Sequence, residues 1–314
     1  MRPLFLLVCL LLVAPARADW VATESGCLVW SSGAEPRVTW DGTCRDGYAD
    51  GDGMLVRLYA GGARETYEGP LRAGKMHGRG FYSLGNGQRY EGDFVDDKAT
   101  GRGIYLWPNG SRYEGDFVDG EFHGHGTRIW GAGTPFAGDR YEGEFVQGRR
   151  TGHGIQAWAN GQRYEGDFVD GRLTGKGVYL WPDGGRYEGD LVDGRSHGQG
   201  IRIWANGHRY EGDFVDDERT GHGIYLWPDG QRYEGDFVAG VRTGHGVYVW
   251  PEGGIYEGDF VDDRATGFGR RIWADGRAYE GVWLNDERHG AGFCRNPDGR
   301  EGPCYCAFNE CEFE

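Results

Sequence analysis

The chain has 314 residues, among them 60 glycines, 18 tyrosines and 12 tryptophans. Glycine recurs every few residues, and no window free of it shows the i, i+3, i+4, i+7 apolar spacing of an amphipathic helix, so strands and turns are expected. The formal net charge of −15 argues against nucleic acid and anionic membrane surfaces as partners, because both bind basic surfaces.

Residues 1–18 have the pattern of a signal peptide cleaved before Asp19: Arg2, an apolar run from Leu4 to Val13, and small residues at Ala16 and Ala18. A membrane anchor is the alternative, but a span needs about 20 apolar residues. We therefore expect export to a periplasm or to the outside of the cell, and no transmembrane segment in the mature chain. Loss of Arg2 and Arg17 would change the net charge from −15 to −17.

Six cysteines remain after residue 18, and an even number in an exported chain indicates disulfides. Two lie before the repeats and four lie at the far end, so disulfides should staple each end of the repeat array. Cys304 and Cys306 are too close to bridge each other comfortably, which leaves Cys294 with one and Cys311 with the other. A zinc site is the alternative for these four. The disulfide candidates are Cys27, Cys44, Cys294, Cys304, Cys306 and Cys311.

An internal repeat dominates the rest of the sequence. Its spacing is 23 residues except for one unit of 28, whose five extra residues fall within Gly131 to Arg140 and should only lengthen a loop. Each unit contains Tyr-Glu-Gly, at Tyr67, Tyr90, Tyr113, Tyr141, Tyr164, Tyr187, Tyr210, Tyr233, Tyr256 and Tyr279.

Two alternating runs in each unit predict a β-hairpin. Type I′ turns are expected at Asn206–Gly207 and Asp229–Gly230, and the other connection, of the type DGRLTG, is expected to be longer. Alternation places aromatic rings and glycines on one face, as with Tyr187 and Gly189, because a ring can lie flat on a backbone that lacks Cβ. A side chain at Gly189 should therefore disrupt ring packing. The opposite face should be the wetter one.

These units resemble MORN repeats, whose pattern of Tyr-Glu-Gly, an apolar-acidic-Gly stretch, Gly-x-Gly and Trp-Pro-Asp/Asn-Gly they share over residues 67–301. The resemblance implies an all-β fold, an elongated, curved single antiparallel sheet of stacked β-hairpins, here with disulfide-stapled caps. The predicted divisions are a signal peptide (1–18), an N-terminal cap (19–66) with Trp40, Asp41 and Gly42 as a degenerate repeat, ten repeats (67–301) and a Cys-rich C-terminal cap (302–314).

No catalytic constellation is apparent, so we predict that the protein is not an enzyme and has no cofactor. MORN repeats accompany phosphoinositide kinase domains in plants, but the short segments outside the repeats cannot hold a kinase domain. The Gly-x-Gly pairs lack the following helix of a phosphate-binding loop. His123 and His125 lack an obvious third metal ligand, and the spacing of Asp46, Asp50 and Asp52 fits no EF-hand calcium loop. No metal site is predicted.

One position on the aromatic face varies from repeat to repeat between tyrosine, arginine and, at Gln156, glutamine. A fully buried position would reject arginine, so a partly open stripe is expected, with composition typical of recognition surfaces. The alternative is that these rings only cover glycines. The stripe, the candidate binding surface, consists of Tyr105, Arg128, Tyr179, Arg202, Tyr225, Tyr248 and Arg271.

The sequence therefore favours a non-catalytic scaffold that binds a protein partner or another copy of itself. A carbohydrate- or phospholipid-binding module using the same stripe is the alternative. Phospholipid binding is linked to the family, but the chain is acidic and has no basic cluster. The sequence leaves open the partner, the oligomeric state, and whether the protein stays in a periplasm.

Overall fold

The computed structural model of the protein describes residues 19–31 and 36–313, and the predicted signal peptide lies outside these ranges. The described residues contain 28 strands and no helix. They form two compact units, one up to Gly171 and one from Arg172 onwards. The predicted all-β fold of stacked antiparallel hairpins is confirmed in each unit.

Unit one begins with a cap in which the strand Tyr48–Leu58 pairs with four others, and its single bridge to Leu28–Ser31 is parallel. From the strand Gly78–Leu84 onwards, each strand of this unit pairs antiparallel with the next in sequence. The strands are β1 (Asp19–Ala22), β2 (Leu28–Ser31), β3 (Arg37–Trp40), β4 (Thr43–Arg45), β5 (Tyr48–Leu58), β6 (Arg64–Arg72), β7 (Lys75–Met76), β8 (Gly78–Leu84), β9 (Arg89–Val95), β10 (Lys98–Leu106), β11 (Arg112–Val118), β12 (Glu121–Ile129), β13 (Arg140–Val146), β14 (Arg149–Ala157) and β15 (Arg163–Val169).

Unit two is a continuous series of antiparallel neighbours that ends in the C-terminal cap. Its strands are β16 (Arg172–Leu180), β17 (Arg186–Val192), β18 (Arg195–Ile203), β19 (Arg209–Val215), β20 (Glu218–Leu226), β21 (Arg232–Val238), β22 (Val241–Val249), β23 (Ile255–Val261), β24 (Arg264–Ile272), β25 (Ala278–Leu284), β26 (Glu287–Arg295), β27 (Glu301–Ala307) and β28 (Glu310–Phe313).

Repeat tyrosines such as Tyr113 lie on glycines that face each other across two strands. Gly115 pairs with Gly126, and a Cβ added to either would lie 2.6 or 2.5 Å from the phenolic oxygen of Tyr113. The Tyr113 hydroxyl donates to the carbonyl of Asp116 at 3.0 Å, so the buried polar group is satisfied. Glycine is therefore required at these strand positions, despite its cost of roughly 0.5–1 kcal/mol.

A β-bulge beside this contact explains the recurring Gly-x-Gly. The pairing of β11 with β12 shifts between Gly115 and Asp116, which leaves Gly124 and His125 as extra residues. Gly124 has φ +55, a left-handed conformation that glycine adopts readily. The carboxylate of Asp116 accepts the His125 amide at 3.1 Å, so the amide displaced from the ladder remains hydrogen-bonded.

Edge-to-face aromatic contacts join successive repeats through the core. The Tyr113 ring lies 5.2 Å from that of Phe117 in its own repeat and 5.2 Å from that of Phe145 in the next, nearly perpendicular to both. Such pairs contribute about 0.5–1.5 kcal/mol each beyond the burial of area. No hairpin can bury its own tyrosine alone, so the stability of each repeat depends on its neighbours.

The turn after the tryptophan of a 23-residue unit spans five residues. It is closed by a hydrogen bond of 2.9 Å from the Trp204 amide to the carbonyl of His208. Within it only the glycine has positive φ, +86 at Gly207, whereas a type I′ turn needs positive φ at both central residues. The prediction of type I′ turns at Asn206–Gly207 and Asp229–Gly230 is therefore wrong.

The two-residue turns lie instead at the other connection, which was expected to be longer. Asp119 and Gly120 have φ +52 and +85, and Asp193 and Gly194 have φ +50 and +82. Aspartate tolerates the left-handed region because its short side chain forms local hydrogen bonds. The Gly194 amide donates to the carbonyl of Leu173 in the previous hairpin at 2.8 Å, so these turns also bind repeat to repeat.

The caps carry the three disulfides of the described residues, Cys27–Cys44, Cys294–Cys304 and Cys306–Cys311. Of the two pairings that the sequence left open at the C-terminal end, the structure has Cys294 with Cys304. In the N-terminal cap, Trp40 covers Gly42 and Gly53 as the tyrosines cover their glycines, and its indole donates to a carbonyl three residues on. The cap thus begins the array with a repeat-like contact.

The opposite face is the wetter one, as predicted. Ion pairs such as Arg112–Glu114, 2.5 Å apart, lie along it, and Val118 is 47% exposed. The five extra residues of the 28-residue unit also lie where expected, in the loop between β12 and β13.

Gly189→Ala should destabilise the protein by about 1–3 kcal/mol, as overpacking does in a dense interior. The new Cβ would lie 2.5 Å from the Gln199 carbonyl oxygen and 2.7 Å from the Tyr187 hydroxyl. Gly254→Ala is the matched control, because its nearest contacts are 3.5 Å away. The midpoint of urea unfolding measures both. Equal midpoints for the two variants would contradict the ring-on-glycine packing.

Alkaline titration should unfold the array. Burial raises the pKa of Tyr187 and of Tyr210 to about 12, whereas an unfolded tyrosine ionises near about 10. The folded state favours the neutral phenol, so this contribution is complete below pH 10 and is lost as the pH rises through about 12. Phenolate absorbance and circular dichroism should therefore change together. Ionisation of all tyrosines near pH 10 with the sheet intact would refute this.

Candidate functional site

The stripe residues lie on the same face as the repeat tyrosines, one to a hairpin. In unit one Tyr105 and Arg128 both pair across the strands with Tyr113. In unit two Tyr179 and Arg202 both pair with Tyr187. Tyr225, Tyr248 and Arg271 pair with the three repeat tyrosines that follow. The structure thus brings the predicted residues into one row in each unit.

The stripe is open in five positions and closed in two. Tyr105 and Tyr248 are only 3% and 9% exposed, so the expectation of a partly open stripe is wrong for them. The other five members are half-buried. The suggestion that stripe rings only cover glycines fails too, because the atoms nearest the core glycines belong to repeat tyrosines such as Tyr187 and Tyr210.

Stripe arginines stack on the tryptophans at the ends of the strands. The Arg202 guanidinium lies 3.5 Å from the centre of the Trp181 ring, and that of Arg271 lies 4.2 Å from Trp250 and 4.8 Å from Trp273. Such cation–π contacts contribute from about 0.5 kcal/mol at exposed sites to about 2 when desolvated. They hold flat cations and rings together on a half-open surface.

In unit one Arg128 lies between Trp107 and Trp130, 5.3 and 4.8 Å from their ring centres. Burial, and secondarily the charge of Arg150, lowers the pKa of Arg128 to about 10. Its Nε is buried without a hydrogen-bond partner among the described residues. The rings therefore carry much of its stabilisation.

A second set of arginines was missed by the sequence reasoning. They occupy the ninth position after a repeat tyrosine, and each guanidinium donates to a carbonyl of the two-residue turn that follows. Arg242 also donates from Nε to the Asp263 carboxylate at 2.9 Å. Burial raises the pKa of Asp263, but the hydrogen bonds and charge of Arg242 outweigh this and lower it. The four are Arg150, Arg219, Arg242 and Arg288.

The sequence feature that could have revealed these arginines is that the ninth position after the repeat tyrosine differs from repeat to repeat. The ninth position otherwise holds Met76, Ala99, Phe122, Leu173, Ser196 and Ala265. Large occupants fill the space, as where Phe122 stacks 3.8 Å from Tyr113. Ala265 is small, but the next repeat has the larger Trp283 in place of the usual phenylalanine beside it.

Small occupants leave openings on the aromatic face. At Ser196, where Leu191 also replaces the usual phenylalanine, a groove of about 380 Å³ lies beside Trp181 and Arg202. Asp217 lies on its lining, and its carboxylate accepts the Ser196 amide at 2.7 Å. At Ala99 in unit one there is a cavity of about 160 Å³.

A profile of the MORN repeat matches ten segments of the chain: 67–89, 90–112, 113–134, 141–163, 164–186, 187–209, 210–232, 233–255, 256–276 and 279–299. The chain belongs to the MORN repeat family. MORN repeats generally act as interaction modules and not as catalysts, which agrees with the predicted scaffold at this level. No curated protein sequence matches the chain significantly.

Solved structures share only distant likeness with these MORN repeats. The TCP domain of SAS-4 (dCPAP) of Drosophila melanogaster, in complex with a proline-rich motif of Ana2, is 17% identical, with 48% of this chain and 83% of that chain covered and a TM-score of 0.33. The TCP10 domain of Danio rerio CPAP is 12% identical over 78% and 96%, with a TM-score of 0.23. A streptogramin B lyase is 13% identical over 93% and 83%, with a TM-score of 0.15. These TM-scores support no inference about this chain.

The remaining candidate for chemistry lies in the C-terminal cap. The sulfur atoms of Cys294, Cys304 and Cys306 lie within 4.8 Å of one another, and all three belong to disulfides. Zinc binds thiolates, so zinc binding there would require reduction. Among residues 19–31 and 36–313, no helix is long and apolar enough to cross a membrane.

Proposed function

We propose that this MORN repeat protein is a non-catalytic scaffold that binds a protein partner through its aromatic face after export from the cytoplasm. The observation that supports this most is the row of arginine–tryptophan contacts in unit two, with the groove at Ser196 within it. Tryptophan, tyrosine and arginine dominate the energetics of protein interfaces, especially where a pocket receives an anchoring side chain.

The stacking favours a protein over a carbohydrate. A sugar ring binds by lying on an exposed aromatic face, whereas Arg202 already occupies a face of Trp181 at 3.5 Å. A protein partner can use the guanidinium edges as donors and leave the stacks in place. Phospholipid is less suited, because the formal net charge is −15 and anionic headgroups attract basic surfaces.

Export is supported by the leader-like residues 1–18 and by the cysteines. All six cysteines after residue 18 are paired in disulfides, and such bonds persist in oxidising compartments. Binding therefore takes place in the cell envelope or outside the cell in this proposal.

Site-specific photocrosslinking tests the proposal. A crosslinking residue in place of Trp227, which is half-buried on the aromatic face, should capture one defined protein or a second copy of this chain in the native envelope. The matched control places it at Val215, which is 47% exposed on the opposite face, and should capture neither. Arg202→Glu with Arg271→Glu should reduce capture at Trp227 about ten-fold or more, as loss of interface hot spots does.

Circular dichroism must first show that each variant keeps its strands. Capture of glycan alone at Trp227 would replace the proposal with carbohydrate binding. Equal capture of the same protein from both faces would contradict the aromatic face as the interface.

A further inference from the structure

Each arginine at the ninth position has its guanidinium held by groups from two adjacent repeats, and we call such a site a guanidinium seat. Arg219 donates from Nη2 to the carbonyl of Gly240 at 2.6 Å, while the Gly240 amide donates back to the carbonyl of Arg219 at 2.8 Å. Its guanidinium lies 4.8 to 5.9 Å from four aromatic ring centres. The rings belong to Trp204, Tyr210, Tyr225 and Phe237.

The same frame recurs at Ala99 without the arginine. The Gly120 amide donates to the carbonyl of Ala99 at 2.9 Å, as that of Gly240 does to Arg219. Tyr90, Tyr105 and Phe117 stand at the repeat positions of Tyr210, Tyr225 and Phe237, and all three line the cavity of about 160 Å³, as does Gly120. Leu84 lies where Trp204 would be.

The size of this cavity suits a planar organic group. A cavity of roughly 150 Å³ lined by apolar side chains can hold a benzene ring, which is larger than a guanidinium. Ala99 and three rings equivalent to those around Arg219 line this cavity, together with residues of the N-terminal cap such as Trp30 and Arg57.

One carboxylate on the cavity lining has an oxygen without a hydrogen-bond partner. Asp97 accepts the Met76 amide through Oδ1 at 2.9 Å, but its Oδ2 is buried with no hydrogen-bond partner among the described residues. Burial raises the pKa of Asp97, and the hydrogen bond from the Met76 amide and the positive charges of Arg57 and Lys75 offset only part of this effect. A buried acceptor without a partner is costly, so a cationic donor would be stabilised there.

The cations on the same lining are already engaged or solvated. Arg57 is only 6% exposed; its guanidinium lies 3.5 Å from the Glu65 carboxylate and donates to the Trp30 carbonyl at 2.8 Å, although its Nε has no partner. Lys98 pairs with Asp119 at 2.9 Å. Arg89 is exposed. The Oδ2 atom of Asp97 is thus the acceptor on the lining that is left for a ligand, although the charges of Arg57 and Lys75 already stabilise the carboxylate in part.

We infer that the cavity at Ala99 binds the guanidinium group of an arginine side chain supplied by a protein partner. The rings of Tyr90, Tyr105 and Phe117 receive the flat cation as the equivalent rings receive Arg219, and the carboxylate of Asp97 accepts its N–H groups. Arginine is favoured over lysine because a planar fork of donors matches stacked rings and a carboxylate together. The inference rests on the proposed scaffold role only for the source of the arginine.

Methionine methyl NMR tests the seat without knowledge of the partner. From residue 19 onwards the chain has two methionines, Met76 on the cavity lining and the exposed Met54. Nα-acetyl-arginine amide, added to the full oxidised protein, should shift the Met76 methyl signal and leave that of Met54 unchanged. The citrulline analogue, which is neutral and nearly the same shape, should bind at least about ten-fold more weakly.

In Ala99→Arg the new side chain should occupy the cavity and so prevent the probe from binding. This variant should abolish the Met76 response and raise the midpoint of thermal unfolding. Val118→Arg is the control, since it adds the same charge nearby on the exposed face and should bind the probe within two-fold of the parent protein. Equal binding of citrulline, or an unchanged response in Ala99→Arg, would overturn the seat.

A Gly-Gly-Arg-Gly-Gly peptide distinguishes the source of the ligand. Binding at least as tight as that of the amide supports an arginine within a partner chain, whereas tighter binding of free L-arginine would overturn the partner as its source. The scaffold role itself is tested separately by crosslinking at Trp227, so failure of one leaves the other measurable.

Discussion

The repeat tyrosine lying flat on two glycines is the contact on which the rest of the structure depends. At Tyr113 the ring excludes any Cβ at Gly115 and Gly126, and its hydroxyl finds carbonyl acceptors beside the bulge. The bulge in turn requires a left-handed Gly124. Tyr-Glu-Gly and Gly-x-Gly are therefore two parts of one packing unit, and neither can vary independently of the other.

The positions that vary between repeats lie over these tyrosine–glycine contacts. The ninth position accepts arginine, methionine, phenylalanine, leucine, serine or alanine, while the tyrosines beside it, such as Tyr113 and Tyr210, keep their places on the glycines. A change there alters the surface without altering the register. Arg219 closes its site over four rings, whereas Ser196 opens a groove. One frame thus supports repeats with different surfaces, which is what a scaffold with a specific partner requires.

Much of the fold could be predicted because its determinants are local and periodic. The 23-residue period and the shared face of Tyr187 and Gly189 follow from spacing, and spacing also excludes a Cys304–Cys306 bond but leaves open which of the two pairs with Cys294. The turns were misassigned because Asn-Gly and Asp-Gly pairs indicate a two-residue turn at either connection. Only the hydrogen bond from the Trp204 amide to the His208 carbonyl shows that the turn after the tryptophan spans five residues. The guanidinium seat was missed because its rings, such as Tyr210 and Phe237, come from successive repeats and meet only when the hairpins stack.

The arginines of the two faces have different contacts, and the difference matters for binding a partner. On the wet face Arg112 pairs with Glu114, so its charge is neutralised within the chain and contributes little. On the aromatic face Arg202 and Arg271 are held mainly by rings, which orient a guanidinium without using all its donors. Burial lowers the pKa of both, a sign of incomplete solvation. A partner that supplies hydrogen-bond acceptors to these two guanidinium groups displaces little water. A chain with an acidic net charge can therefore still present a few cations for specific contact.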